Sequence, residues 1–257
     1  MRIVSLVPSH TETLHDLGLA DRVVGRTRFC IHPKPWVDGL AIIGGTKDAR
    51  PDKILALRPD LVVADKDENP LALVQTLQKA GVDVIWSDIA TVEDAADFVL
   101  RLGARCGVEP AGRRESDAIR AALEAARANR PSKPIPVFCP IWHDPWMTFD
   151  ASAFPNAMID AVGFQNVFAK HEGPRYFEVT AKEVFSSQAE HALLPTEPFP
   201  FHKRLKAIDT VPLGRCGSAG RVHVVDGEAL TWFGSRTARG IPILAELAHD
   251  LASKMGR

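Results

Sequence analysis

The chain has 257 residues, 46% hydrophobic and 25% charged, with a net charge of −1 and a pI near 6.8, which is an ordinary globular profile. That balance leaves no basic footprint for nucleic acid or an anionic membrane surface. No apolar run approaches the roughly 18–20 residues that span a bilayer.

Strand and helix signals alternate from the start. Ile3–Val7 is apolar and β-branched, and Pro8–Glu12 turns the chain into a helix. Ser9 and Glu12 stand at capping-box spacing, and Gly18 is the stop. Arg22–Gly25 reads as a short strand, followed by the polar and aromatic loop RTRFCIHPKPW. Pro51–Leu57 is a predicted helix, Leu61–Ala64 a buried strand, and Pro70–Lys79 a helix closed by Gly81. Val82–Trp86 is another strand, and Thr91 with Asp94 opens a helix that ends near Cys106. Strands separated by helices imply βαβ units and a largely parallel sheet.

The next stretch, EPAGRRESDAIRAALEAARANR from Glu109 to Arg130, is of another kind. Seven alanines fall between Ala111 and Ala128, Pro110 suits a first helical turn, and Pro131 ends the pattern. A helix of about 20 residues spans roughly 30 Å. Ile119, Ala122, Leu123 and Ala126 give it only a thin apolar stripe. Arg113–Asp117 and Arg120–Glu124 place opposite charges one turn apart on its outer face. Beyond Pro131 the βα pattern restarts, with strands at Ile135–Cys139, His191–Leu194 and Arg221–Val225. Helices are expected at Asn156–Val162, after Thr180 (paired with Glu183 for a capping box), near His202–Lys206 and over roughly Ser235–Lys254. The fold class expected is α/β: two βα lobes with largely parallel sheets, residues 1–108 and 131–257, joined by one long backbone helix, residues 109–130.

The halves also echo each other. LHDLGLADRVVG (14–25) resembles MIDAVGFQNVFA (158–169), and DKILALRPDLVVADKDENP (52–70) resembles AKEVFSSQAEHALLPTEPF (181–199). In the second pair Lys53 precedes Glu68 by 15 residues, and Lys182 precedes Glu197 by the same 15. Two related lobes are favoured over one long sheet.

Ligands of open α/β sheets bind beyond the carboxyl ends of the strands. That rule nominates His10, the loop carrying Phe29, His32 and Trp36, then Lys47 and Trp86, the Trp142–Trp146 stretch with His143, and the Thr231–Arg236 segment with Trp232. Indole faces suit a large, flat, partly apolar ligand. For Trp86, at a strand end, core packing is an equal alternative. Arg236 can hold a carboxylate, amide or phosphate bidentately, and Lys47 less specifically. An imidazole at His32 or His143 could ligate cobalt or iron or bond a ligand's periphery.

The opening RIVSLVPSHTETLHDLG, the stretch LRPDLVVADKDENP, LLPTEPFPF and the late DGEALTWFGSR resemble the helical-backbone substrate-binding proteins of ABC importers, a family that includes cobalamin-, haem- and ferric-siderophore-binding proteins. The closest resemblance is to the cobalamin-binding branch, and it covers essentially the whole chain. It implies a cobalamin-like corrinoid or similar metal chelate held between the lobes, with small opening motions, and no intrinsic cofactor. It places Tyr176 at a second-lobe position facing the ligand and Trp232 in the ligand-contact loop. It also implies that Glu68 and Glu197 are docking carboxylates for an ABC permease dimer, which the repeat alignment pairs independently. A monomer that is not an enzyme is expected.

Two other functions compete. A bare Zn, Mn or Fe receptor on the same fold would use His10, His32 and His143, but the aromatic load is excessive for a naked ion. A cytoplasmic enzyme would use Cys30 with His32 as nucleophile and base, but no third orienting group is identifiable. The four cysteines are widely spaced with no C-x-x-C pair, which fits a reducing compartment. The chain as written starts with a strand and no signal-like segment. A cytoplasmic location is expected on that reading, and a periplasmic one if a signal has been removed.

Overall fold

Pro8 sets the first helix. The structure, a computed structural model, describes residues 1–207, 213–218 and 220–255. After β1 (Ile3–Ser5), α1 (Pro8–Asp16) opens with proline in its first turn and Val7 as an N-cap that offers no side-chain bond. A first-turn proline gives up only an N–H that has no helical partner. The capping box expected of Ser9 and Glu12 therefore does not form: both lie inside the helix, buried. The box expected downstream does form. Thr180 Oγ1 accepts from the Glu183 N–H at 3.2 Å, and Glu183 Oε2 accepts from the Thr180 N–H at 2.7 Å.

The first half continues with β2 (Val23–Arg26), β3 (Ala41–Ile42), α2 (Pro51–Ala56), β4 (Leu61–Asp65), α3 (Leu71–Lys79), β5 (Asp83–Ser87) and α4 (Val92–Arg105). Its five strands form one sheet in the order β3-β2-β1-β4-β5, with every pairing parallel. The central strands β1 and β4 are buried throughout, the apolar run expected of a parallel strand covered on both faces. The long helix α5 (Glu109–Ala128) follows.

The second half comprises β6 (Ile135–Phe138), β7 (Met147–Phe149), α6 (Phe154–Ala161), β8 (Phe164–Asn166), β9 (Tyr176–Glu178), α7 (Ala181–Ser186), β10 (His191–Pro195), α8 (Phe201–Arg204), α9 (Arg215–Ser218), β11 (Val222–Val225), α10 (Gly227–Thr231) and α11 (Thr237–Met255). Four of its strands form a second parallel sheet in the order β11-β10-β6-β8. The other two, β7 and β9, pair antiparallel. Strands of two or three residues such as β3, β7 and β9 show no alternation in sequence and were not expected. The last helix begins at Thr237 rather than Ser235 and keeps Pro242 inside it.

The topology carries the internal repeat. Without β3, the first sheet reads β2-β1-β4-β5, and the second, taken from its other edge, reads β8-β6-β10-β11. The segment pair 14–25 and 158–169 covers parts of α1–β2 and α6–β8, and 52–70 and 181–199 cover α2–β4 and α7–β10. The aligned segments thus occupy corresponding places in each sheet.

The chain divides into two compact units: Met1–Ile89 with Glu93–Ile119 and Phe233–Arg236, and Ala90–Val92 with Arg120–Trp232 and Thr237–Arg257. Helix α5 starts in the first and ends in the second. Its buried face is wider than the expected stripe: Gly112, Ser116, Ile119, Leu123 and Ala126 recur every three or four residues. Within the first unit, α4 and α5 meet at two glycines. A Cβ on Gly103 would lie 2.7 Å from Gly112 Cα, and one on Gly112 would lie 3.0 Å from Gly103 Cα. Among the described residues no helix is long and apolar enough to cross a membrane.

Backbone contact of this kind has no flexible side chain to move aside. Gly103→Val and Gly112→Val are each expected to destabilise the protein by roughly 1–3 kcal/mol, measured as a lowered urea midpoint. The exposed neighbour Arg113→Val should change it far less.

Candidate functional site

In each unit all parallel strands deliver their loops to one edge of the sheet. The crevice a ligand can use lies where neighbouring strands send the chain in opposite directions, here between β1 and β4 and between β6 and β10. The second unit gathers the predicted aromatics there. After β6, Trp142 is 42% exposed and stands edge-on to Phe199, which follows β10, at 5.4 Å. His143, half-buried, lies 4.6 Å from Trp146 and 5.8 Å from Phe199. Trp146 itself is buried and packs between Phe138 and Phe201. It also floors a depression of about 310 Å³ lined by Pro145, Glu178, Val179, Thr180 and Ala181. Tyr176, on β9, is half-buried opposite Phe149.

The first unit holds its loop residues differently. Buried Arg26 donates from Nε to Val37 O at 2.7 Å, bracing the loop that carries Phe29, His32 and Trp36. Phe29 is 49% exposed and Ile31 44% exposed, while Cys30 between them is fully buried. Trp36 sits 5.0 Å from the His15 ring. Trp86, on the edge strand β5, is half-exposed, and Lys47 donates to Asp67 O.

Two more nominated residues, Trp232 and His10, lie inside, and a third, Arg236, is half-buried. Trp232 is buried. Arg236 grips Glu12 with two bonds, Nε to Oε2 at 2.6 Å and an Nη to Oε1 at 3.0 Å. His10 is fully buried, stacked on Phe98 at 4.5 Å and tilted against Phe233 at 5.0 Å. Its Nε2 meets Ser87 Oγ at 2.8 Å, and Ser87 donates to Asp65 Oδ2 at 2.6 Å.

Asp65 leads to the first acidic tip. Its Oδ1 accepts from the Asp67 N–H at 2.9 Å, and Asn69 Oδ1 accepts from the Asp65 N–H at 2.9 Å. Asn69 Nδ2 in turn donates to Thr46 O at 2.9 Å. Glu68 is therefore displayed on a loop tied down on both sides. At the second tip, Thr196 Oγ1 accepts from the Gly227 N–H at 2.9 Å, and Thr231 Oγ1 donates to Glu197 Oε1 at 2.6 Å. Asp65, Ser87, Asn69 and Phe199 were not nominated from sequence, and Thr231 was nominated only as the first residue of the Thr231–Arg236 segment, not as a partner of Glu197. The aromatic of FPF and the Asn after DKDE were visible there, but nothing local marks a buried Ser or a half-buried Thr as a hydrogen-bond donor to a distant carboxylate.

The catalytic alternative finds no support in Cys30. Its sulfur lies 3.1 Å from Thr27 Oγ1, and burial raises its thiol pKa, suppressing the thiolate. Among the described residues no group of three or more His, Cys, Asp or Glu is arranged to hold a metal ion.

Burial has opposite consequences for His10 and Asp65. It lowers His10 to about 3 and raises Asp65 to about 7. The raised carboxyl makes stability fall as pH rises from about 4 to about 7. The depressed imidazole makes stability fall as pH drops from about 6.5 to about 3. Each slope is at most about 1.4 kcal/mol per pH unit, and they oppose each other over most of this range. Asp65→Asn is expected to leave a melting temperature that, relative to the parent, climbs from pH 4 to 6.5. His10→Phe should leave one that falls over the same interval; parallel pH profiles for all three proteins would contradict the burial argument.

Comparison with known proteins gives the fold a family. The vitamin B12-binding protein of Vibrio campbellii is 27% identical over 191 residues, covering 74% of this chain and 68% of that protein. The Vibrio cholerae protein of the same name is 28% identical over 199 residues, covering 75% and 71%. Among solved structures, the periplasmic vitamin B12 binding protein BtuF of Vibrio cholerae superposes with a TM-score of 0.83 at 23% identity over 98% of both chains. The periplasmic heme-binding protein RhuT from Roseiflexus sp. RS-1 does so with 0.85 at 24%, again over 98% of both. Both show the same fold, and residues 3–197 match the family described as periplasmic binding protein. The chain belongs to the periplasmic binding protein family.

Proposed function

We propose that this protein binds a cobalamin-like corrinoid or a related flat metal chelate and presents it to an ABC permease. The observation that carries this reading is the aromatic group at the β6/β10 crevice, where exposed Trp142 and half-buried His143 and Phe199 stand together. Such a surface offers broad apolar faces with an imidazole at the rim, matching a macrocycle better than a sugar, an amino acid or a bare ion. The curated relatives are named for vitamin B12, and a solved structure of the same fold for haem, which fits the same ligand class. Phe29, Trp36 and Trp86 are the candidates for further contacts in the first unit. We place the protein's work in the periplasm, where its named structural neighbours act.

Titration with cyanocobalamin, dicyanocobinamide and haemin, followed by tryptophan fluorescence, tests the reading. At least one is expected to bind with micromolar or tighter affinity, and Trp142→Ala should weaken that binding tenfold or more without lowering the melting temperature. Absence of binding to all three would overturn the chelate assignment.

Glu68 and Glu197 are the proposed docking carboxylates. They follow β4 and β10, which hold corresponding positions in their sheets, and each sits on a braced tip. Reversing both charges (Glu68→Lys with Glu197→Lys) should abolish stimulation of permease ATP hydrolysis and leave chelate affinity within twofold of the parent. Undiminished stimulation would remove docking from these tips.

A further inference from the structure

We infer that Thr231 is a positioning residue for the Glu197 docking carboxylate, a role that rests on the docking reading above. Thr231 ends α10, and its hydroxyl faces two acceptors: Glu197 Oε1 at 2.6 Å and Gly227 O, one turn back, at 2.9 Å. A hydroxyl has one proton to give. The carboxylate is both nearer and charged, so it takes the stronger bond, and the backbone carbonyl, already inside a helical turn, competes weakly. One carboxylate oxygen is thereby held by the α10 hydroxyl, which narrows the rotamers open to the Glu197 side chain.

The scaffold around this bond is built for close approach. A Cβ on Gly227 would fall 2.5 Å from Glu197 N and 2.6 Å from its Cγ, so only glycine lets α10 lie directly against the tip. Asp226 caps the same helix through the Ala229 N–H at 3.2 Å, and the Gly227 N–H ties back to Thr196 Oγ1 at 2.9 Å. The Glu197 backbone is thus held by α10, and its side chain is held by the last residue of that helix. An unrestrained glutamate at an exposed tip loses rotamer freedom on docking; an oriented one has already lost it. Thr231 also precedes Trp232, so the residue that aims the carboxylate is covalently adjacent to a proposed ligand-loop residue.

The test uses the full chain with a cobalamin-type ABC permease from the same genome in lipid nanodiscs. It reads the protein concentration giving half-maximal ATPase stimulation, with cyanocobalamin affinity and melting temperature measured alongside. Thr231→Val keeps the shape and removes the hydroxyl; it is expected to raise the half-maximal concentration about fivefold to tenfold, with cyanocobalamin affinity within twofold. Thr231→Ser restores the donor and should return to within twofold of the parent. Glu197→Gln should lose most stimulation. If Glu197→Gln fails while Thr231→Val behaves as the parent, docking stands and positioning is overturned. If Thr231→Ser is as impaired as Thr231→Val, the hydroxyl is not the cause and the inference is again overturned. If Glu197→Gln stimulates normally, the docking reading itself fails and takes this role with it.

Discussion

A strand in a parallel sheet can reach its next parallel neighbour only through a crossover, and the crossovers of a twisted sheet share one hand. Both halves of this chain obey that constraint with the same winding. The chain starts in an interior strand, β1 or β6, moves outward to β2 or β8, and returns to pair β4 or β10 against the other side of the first strand. The first interior strand is thus left with neighbours whose loops diverge, and a crevice opens beside it. Nothing about the ligand is needed to produce this. It follows from parallel pairing, from apolar central strands such as Leu61–Asp65 and His191–Pro195 that are buried along their whole length, and from helices long enough to span back.

The loops at that edge need stiffness, and the two units supply it with different chemistry. In the second, aromatic rings pack in series from Trp142 through Phe199 and Phe201 to Trp146, so the exposed Trp142 indole grows directly out of the core. In the first, polar groups do the work: Arg26 braces one loop, and Asn69 and Asp65 brace another. Buried polar groups stabilise only when each is matched, and an ionised Asp65 away from water is costly even so. Its raised pKa is the visible cost of holding the Glu68 tip still. The Glu12–Arg236 pair follows the same logic. It is two-bonded and partly shielded, with side-chain exposures of 9% and 19%, and it seats the Phe233–Arg236 segment on α1, helped by Ser235 bonding Asp16 at 2.7 Å. Removing one partner would deprive the other charge of this two-bonded contact, a larger loss than the pair's own net contribution.

These cases show what was legible in the sequence. Alternating strand and helix signals, the alanine-rich run to Ala128 and the paired spacing of Lys53–Glu68 and Lys182–Glu197 are local or periodic patterns, and they foretold the architecture closely. Trp142, nominated by its position after a strand, does stand exposed. Burial is not local. His10, Trp146, Trp232 and Arg236 carry the same residue-type signal as Trp142 or Phe29, yet their surroundings come from residues far away in the chain: Phe98 and Ser87 for His10, Glu12 for Arg236. The Ser9–Glu12 spacing misled for a related reason, because Pro8 had already taken the first helical turn. Close approaches were equally hidden, since Gly112 reads in sequence as a weak point of a long helix and acts in the fold as its contact with Gly103.

The cysteines show how a compositional argument can lose its force once burial is known. Four thiols without a partner suggest a reducing compartment because an exposed thiol in an oxidising one is soon oxidised or cross-linked. That inference assumes the thiols react. Cys30, Cys106, Cys139 and Cys216 are all free and all buried, and burial raises the pKa of every one. Oxidation and exchange proceed through the thiolate and need access, and these four sites offer neither. They behave as small apolar side chains, so their number says nothing about where the protein works. The periplasmic reading then meets no chemical objection from this chain.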